Sequence, residues 1–258
     1  MKAIRLRTEH MREPLGIDVK NPMLSWCCED GIYQTAFQIV ARRGENILWD
    51  SGIRKSSQMN CRYELPIPSR ERITWKVRLW DEQNKPGPWS EDASFELGIT
   101  DYAQWHAKWI DPEPEHLDVA CDDVINQKAK AAWEQGKKKE PFDPHLPASY
   151  LRKKFTAVRG KKNRLYITSK GIYQAYLNGK PVGEQVLAPG PAVYDQYIPV
   201  QTYDVDGLLT EGENELLVVL GDGWYRSCSG VNGDRNLYGS RLGLICQLMT
   251  DDEIVCAT

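Results

Sequence analysis

Between Met23 and Leu97 the apolar residues fall in short runs: Ala36 to Val40, Ile47 to Trp49, Ile73 to Trp80 and Phe95 to Leu97. Asp30-Gly31, Arg43-Gly44, Ser51-Gly52 and Asn84-Lys85-Pro86-Gly87-Pro88 stand between them, and almost no helical period is present. Short strands punctuated by glycine and proline turns predict a small β-sandwich over residues 1–100. In Thr74 to Trp80, Trp75, Val77 and Leu79 share one face and the basic residues take the other, as a half-buried strand requires. Trp80 breaks that alternation and is expected to cap the sheet end.

The stretch from 101 to 149 differs, with Pro112, Pro114, Pro141, Pro144 and Pro147 interrupting any long element. It reads as a linker carrying one short helical insert, Asp122 to Lys139, capped by Asp122 or Asp123 and ending in Lys137-Lys138-Lys139. That lysine run is read as a solvated helix end rather than an anion site. A second β domain is predicted over 150–258, with the strand near 107–110 joining it. Leu165, Ile167, Tyr173 and Leu177 mark two strands, and Asn178-Gly179 predicts a type I′ hairpin because both central residues need positive φ. Further strands are expected at Tyr197 to Tyr203, Glu215 to Leu220 and Leu242 to Met249, with a turn at Glu211 to Asn214. The pattern is that of a jelly-roll-like sandwich, and the fold class is all-β. The run Ile254 to Ala257 reads as a strand just beginning, so the sandwich is expected to be incomplete there, with an unpaired edge.

Composition narrows the function classes. With 41% hydrophobic residues, 9 Trp and 12 Tyr in 258 residues, the chain can bury a sizeable core and divide into two domains. A net charge of −3, evenly scattered, argues against nucleic acid as a partner. No window approaches the roughly 18 apolar residues of a membrane span, and the opening MKAIRLRTEHMREP lacks the apolar stretch of a signal peptide, so no membrane partner and a cytoplasmic location are expected. Seven cysteines, Cys27, Cys28, Cys61, Cys121, Cys228, Cys246 and Cys256, are odd in number and irregularly spaced, which fits reduced and mostly buried thiols. His10, His106, His116 and His145 never pair at metal-ligand spacing, and neither a metal nor a cofactor is expected.

Candidate chemistry is sparse. Asp251-Asp252-Glu253, the densest acidic cluster, sits between two apolar runs and reads as a hairpin turn. Asp204, Asp206 and Asp222 could ligate calcium or touch a sugar, though loop structure is the commoner role for such residues. No nucleophile elbow and no phosphate-cradling glycine loop is present. One segment has the composition of a binding surface: Gly221 to Arg241 gathers Trp224, Tyr225, Arg226, Asp234, Arg235, Asn236 and Tyr238 among glycines. Aromatic rings stack on the apolar faces of sugars while Arg, Asp and Asn bond their hydroxyls, so these seven are the candidate carbohydrate-binding residues. The competing reading is that the rings pack beneath the loop and the charges tie it down.

Ordered strings along the chain resemble the opening of the bacterial α-L-rhamnosidases, a glycoside hydrolase family. In the first half these are Asn21-Pro22-Met23-Leu24-Ser25-Trp26, Leu48-Trp49-Asp50-Ser51-Gly52, Trp75-Lys76-Val77-Arg78-Leu79-Trp80-Asp81 and Pro88-Trp89-Ser90. They resemble a fibronectin-III-like domain. The second half carries Ala107-Lys108-Trp109-Ile110, Gly171-Ile172-Tyr173, Leu177-Asn178-Gly179-Lys180-Pro181-Val182-Gly183, Leu187-Ala188-Pro189-Gly190 and Gly221-Asp222-Gly223-Trp224-Tyr225-Arg226, which resemble the rhamnosidase N-terminal jelly roll. The insert at Asp122 to Phe142 departs from that pattern, as does Pro191-Ala192-Val193, where an aromatic residue is usual after the glycine.

The resemblance implies a parent enzyme that removes terminal α-L-rhamnose with inversion, using an acid and a base on an (α/α)₆ barrel. Such chemistry needs two carboxyl groups about 6.5 to 9.5 Å apart. A barrel of about twelve helices has no counterpart here, so the resemblance implies a non-catalytic portion, inactive alone, with that barrel as partner and a rhamnose-containing glycan as possible ligand. Some relatives have a calcium-dependent rhamnose-binding jelly roll; where its ligands would stand this chain has Ser169-Lys170-Gly171, and a lysine cannot ligate calcium.

Overall fold

A computed structural model describes residues 1–112, 147–158, 160, 162–227 and 238–258. The helix expected at Asp122 to Lys139 lies outside the described residues. The chain divides into two compact units, Met1–Gln104 and Trp105–Thr258. Both consist of antiparallel sheets. Helix among the described residues is limited to a 3-10 turn at Tyr102–Gln104 and a single turn, α1, at Gly223–Arg226, so the all-β expectation holds.

The first unit contains β1 (Lys2–Thr8), β2 (Met23–Glu29), β3 (Ala36–Arg43), β4 (Asn46–Asp50), β5 (Arg54–Lys55), β6 (Asn60–Arg62), β7 (Arg72–Trp80), β8 (Pro86–Trp89) and β9 (Ala93–Glu96). One sheet runs β1-β2-β6; the other runs β4-β3-β7-β8, with β5 also pairing β3 and β9 pairing β7. Alternation in β7 sends Ile73, Trp75, Val77 and Leu79 inward, against Leu24, Trp26, Phe37, Ile39 and Phe95. Burying each such side chain stabilises the sandwich by about 1.5–3 kcal/mol. Polar ring atoms in this core are satisfied: Trp75 Nε1 donates to Thr8 Oγ1 at 3.3 Å and Trp26 Nε1 to Gln34 Oε1 at 2.9 Å. Gln34 in turn donates to the carbonyls of Ser56 and Gln58, pinning the loop before β6. Trp80 shares the outer face with Lys76 and Arg78, so the period of two continues through it. It is buried there because the Arg78 guanidinium lies 4.9 Å above its ring and 4.9 Å above that of Trp89.

The second unit contains β10 (Ser149–Ala157), β11 (Asn163–Lys170), β12 (Ile172–Leu177), β13 (Lys180–Pro181), β14 (Gln201–Asp204), β15 (Gly212–Gly221), β16 (Gly243–Thr250) and β17 (Glu253–Ala257). Its sheets run β10-β15-β12-β13 and β14-β11-β16-β17. Leu165, Ile167, Leu177, Val218, Leu220, Leu244 and Leu248 meet between them. Asn178 and Gly179 take φ of +53° and +77°, the type I′ turn expected from the sequence. Asp251 and Asp252 form the two-residue turn joining β16 to β17, and the run Ile254 to Ala257 is indeed a strand.

Two boundaries differ from expectation. The strand expected at Tyr197 to Tyr203 is only Gln201–Asp204, because Gln196 N and Tyr197 N both donate to Val193 O in a turn and Pro199 has no N–H to offer a ladder. The strand expected from Glu215 begins at Gly212, so the Glu211 to Asn214 turn ends earlier than its polarity suggests. Asn214 is tolerated inside β15 because its side chain folds back on the turn: Nδ2 donates to Thr210 O and Gly212 O, and Oδ1 accepts from Thr210 N and Asn178 Nδ2.

Candidate functional site

At one end of the second sandwich, the chain leaving β15 and the chain entering β16 meet the loop that precedes β14. Gly221-Asp222-Gly223 makes the tight exit. Gly223 has φ of +52°, and a Cβ there would lie 2.5 Å from Ile172 Cγ2 and 3.0 Å from Ile172 N, so only glycine fits. The turn of α1 follows, and Asp222 Oδ1 accepts from Arg226 Nε at 2.9 Å and from an Arg226 terminal nitrogen at 2.7 Å. A second terminal nitrogen of Arg226 donates to Ser240 O at 3.2 Å, joining the two chain segments. This guanidinium is buried, with its side chain only 3% exposed.

Tyr225 points inward beside it. Its ring centroid lies 5.2 Å from that of Tyr194 and 6.4 Å from that of Tyr238, and Tyr194 and Tyr238 are 5.1 Å apart. Edge-to-face and offset contacts of this kind add about 0.5–1.5 kcal/mol each to burial. Gly239 lets the Tyr225 hydroxyl in: a Cβ at residue 239 would sit 2.4 Å from Tyr225 Oη. Burial pushes the phenols of Tyr194 and Tyr225 above their ordinary range. Tyr194 Oη donates to Gly190 O at 3.1 Å.

Of the seven residues singled out by sequence, the structure brings Tyr225, Arg226 and Tyr238 together. Trp224 stands beside them on α1, while Asp234, Arg235 and Asn236 lie outside the described residues. Tyr225 and Arg226 are buried, whereas Trp224 and Tyr238 each keep 38% of their surface exposed. Tyr194 was missed by the sequence reading. The signal was available: an aromatic ring was expected directly after Gly190, and here it comes four residues later and bonds back to the Gly190 carbonyl.

The remaining acidic candidates hold the fold. Asp204 Oδ2 lies 3.1 Å from the buried Arg164 guanidinium, and Asp206 Oδ1 accepts from Asn163 N at 2.8 Å and Asn163 Nδ2 at 2.9 Å. Asp251 Oδ1 accepts from Lys162 N at 3.0 Å. Glu64 and Glu82 sit below the ordinary carboxylate range, Glu64 because Arg54 bonds it and Glu82 because backbone amides do. A glycosidase general acid needs the opposite displacement. Among the described residues no three His, Cys, Asp or Glu side chains converge as metal ligands. Where a calcium-binding relative would place its ligands, the Lys170 ammonium lies 5.3 Å from the Trp109 ring centre instead.

Both units match described families. Residues 3–101 match the Rha78A-like, N-terminal immunoglobulin domain, and residues 159–254 match the alpha-L-rhamnosidase N-terminal domain. Immunoglobulin and fibronectin-III domains share the two-sheet sandwich architecture expected for the first half. An alpha-L-rhamnosidase of Formosa agariphila is 34% identical over 257 residues, covering 93% of this chain and 25% of the relative. The structure of an alpha-L-rhamnosidase from Dictyoglumus thermophilum superposes with a TM-score of 0.79 at 27% identity, covering 100% of this chain and 29% of that one. That of an alpha-L-rhamnosidase from Aspergillus terreus does so with a TM-score of 0.78 at 27% identity, covering 98% of this chain and 28% of that one. The chain thus spans 22–25% of three curated relatives and 39% of a fourth. Two N-terminal domains, matched in order along one chain, show that it belongs to the α-L-rhamnosidase family and corresponds to the N-terminal portion of those proteins.

Proposed function

We propose that this chain serves an inverting α-L-rhamnosidase, which releases terminal α-L-rhamnose from glycosides, as a structural and docking module for its catalytic barrel. The family match over both units carries this reading. The engagement of Asp204, Asp206, Asp222 and Asp251 in the fold supports a non-catalytic role, since inversion needs a free carboxyl pair flanking a sugar. Free thiols at Cys27, Cys28, Cys61, Cys246 and Cys256 support a reducing, cytoplasmic setting.

A hybrid in which this chain replaces the matching portion of the Formosa protein tests the reading. The hybrid is expected to hydrolyse p-nitrophenyl α-L-rhamnoside. An inactive hybrid, beside a Formosa remainder that is fully active without any N-terminal portion, overturns it. The exposed rings of Trp224 and Tyr238 favour a second reading, recognition of a rhamnose-containing glycan at the loop end. Calorimetric titration with L-rhamnose decides it: heat that disappears in Trp224→Ala supports sugar binding, and no heat from a folded sample refutes it.

A further inference from the structure

Among the described residues the second sandwich is open along one side. There β10 and β17, the edge strands of its two sheets, flank a cavity of about 650 Å³. Its inner wall is apolar, formed by Leu151, Leu216, Val218, Leu244, Cys246 and Cys256. Lys153 reaches across, its Nζ donating to Ala257 O at 2.6 Å.

Among the described residues the outer edge of β10 has no partner strand. Strand β10 pairs with β15 along all nine residues, and among the described residues its backbone makes no hydrogen bond on the other side. In an antiparallel ladder about half of a strand's N–H and C=O groups point away from its one neighbour. Ser149–Lys153 of this strand line the apolar cleft, and such a row of groups is a template for strand addition and, where exposed, an aggregation hazard. On the solvent side of β10 Arg152 is bonded to Glu215 and Lys154 to Glu213, with Tyr150 exposed at one end of that face, and the edge beside the cavity is the surface that an added strand would cover.

We infer that the outer edge of β10 receives an extended strand from the remainder of the rhamnosidase, whose alternate apolar side chains fill the cavity. This rests on the proposed role as an N-terminal module. Its occupant is drawn from the roughly three quarters of the curated relatives' length that lies outside the matched portion. One strand satisfies both needs at once, because backbone pairing with β10 directs every second side chain toward Leu216 and Val218.

Hydrogen exchange read by mass spectrometry on Ser149–Ala157 tests this in the isolated chain, in the Formosa hybrid, and in the isolated chain mixed with the separately produced Formosa remainder. The outer-edge amides are expected to exchange freely in the isolated chain and to slow by at least about 100-fold in the hybrid or the mixture. Amides that stay fast in a folded hybrid and in a mixture that associates overturn the inference. Protection already present in the isolated chain also overturns it. If deleting residues 113–146 abolishes that protection, the cover is this chain's own segment; if dilution abolishes it, the cover is a second copy. Rhamnosidase activity of the same hybrid reports on the proposed function separately, so either idea can fail alone.

Discussion

Replacing Asn214 with alanine strips a buried amide of five contacts: two donated, to Thr210 O and Gly212 O, and three accepted, from Thr210 N, Thr210 Oγ1 and Asn178 Nδ2. Each neutral bond contributes about 1 kcal/mol net, and a buried partner left unpaired costs about 1–3 kcal/mol. Thr210 is exposed, so water replaces its contacts at little cost, and Asn178 Nδ2 keeps the Leu208 carbonyl. The expected loss is therefore about 3 kcal/mol rather than the full sum of five bonds. Hydrogen exchange on peptides from β12 and β15, where global opening limits the rate, should show exchange faster by more than about 100-fold. Asn214→Asp keeps the shape and the three accepted bonds but replaces the nitrogen that makes both donated bonds with one oxygen facing two carbonyls. Burial and those carbonyls raise its folded pKa above the unfolded value, so its stability is greatest below about pH 4 and falls as pH rises through the folded pKa. A loss below about 1 kcal/mol for Asn214→Ala refutes the view that this side chain anchors the Asn178-Gly179 hairpin to β15.

Three further outcomes are expected. Burial pushes the phenols of Tyr173, Tyr203, Tyr194 and Tyr225 upward from 10, so their contribution to the second unit's stability is constant with pH below about 10 and is lost above it as the unfolded chain ionises first; the buried Cys246 and Cys256 thiols act in the same direction from about 9, and urea titrations at pH 8 and 11 check the expected fall. Arg226→Met removes the guanidinium that bonds Asp222 and the Ser240 carbonyl and should destabilise the second unit by about 2–4 kcal/mol, with Arg226→Lys recovering less than half, as followed by exchange in β15 and β16 peptides. In an alkylation pulse read by peptide mass spectrometry at pH 8, exposed Cys27 should label quickly, whereas Cys246, buried and pushed up to about 12, should label only on unfolding.

Much of this architecture was legible where one side chain period spans a whole strand. Alternation in Thr74 to Trp80 located β7, and Asn178-Gly179 located its hairpin, because both signals arise within a few residues. Strands of two or three residues, such as β5, β6 and β13, carry no period and were invisible. The site was legible in composition only. That Arg226 and Tyr225 are buried depends on Ser240 and Gly239, brought back by β16, and on Tyr194 from a separate loop. Arg164 and Asp204 lie forty residues apart in sequence, so nothing local marked those aspartates as partners of a buried cation.

An ancillary portion of a rhamnosidase with no catalytic pair of its own should not hydrolyse a rhamnoside by itself. The direct test is release of p-nitrophenol from p-nitrophenyl α-L-rhamnoside by the purified chain alone, with its fold verified by circular dichroism. The expected result is no turnover above the buffer rate. Turnover that disappears on replacing a single carboxylate would contradict the account and reveal a catalytic acid or base within these two sandwiches.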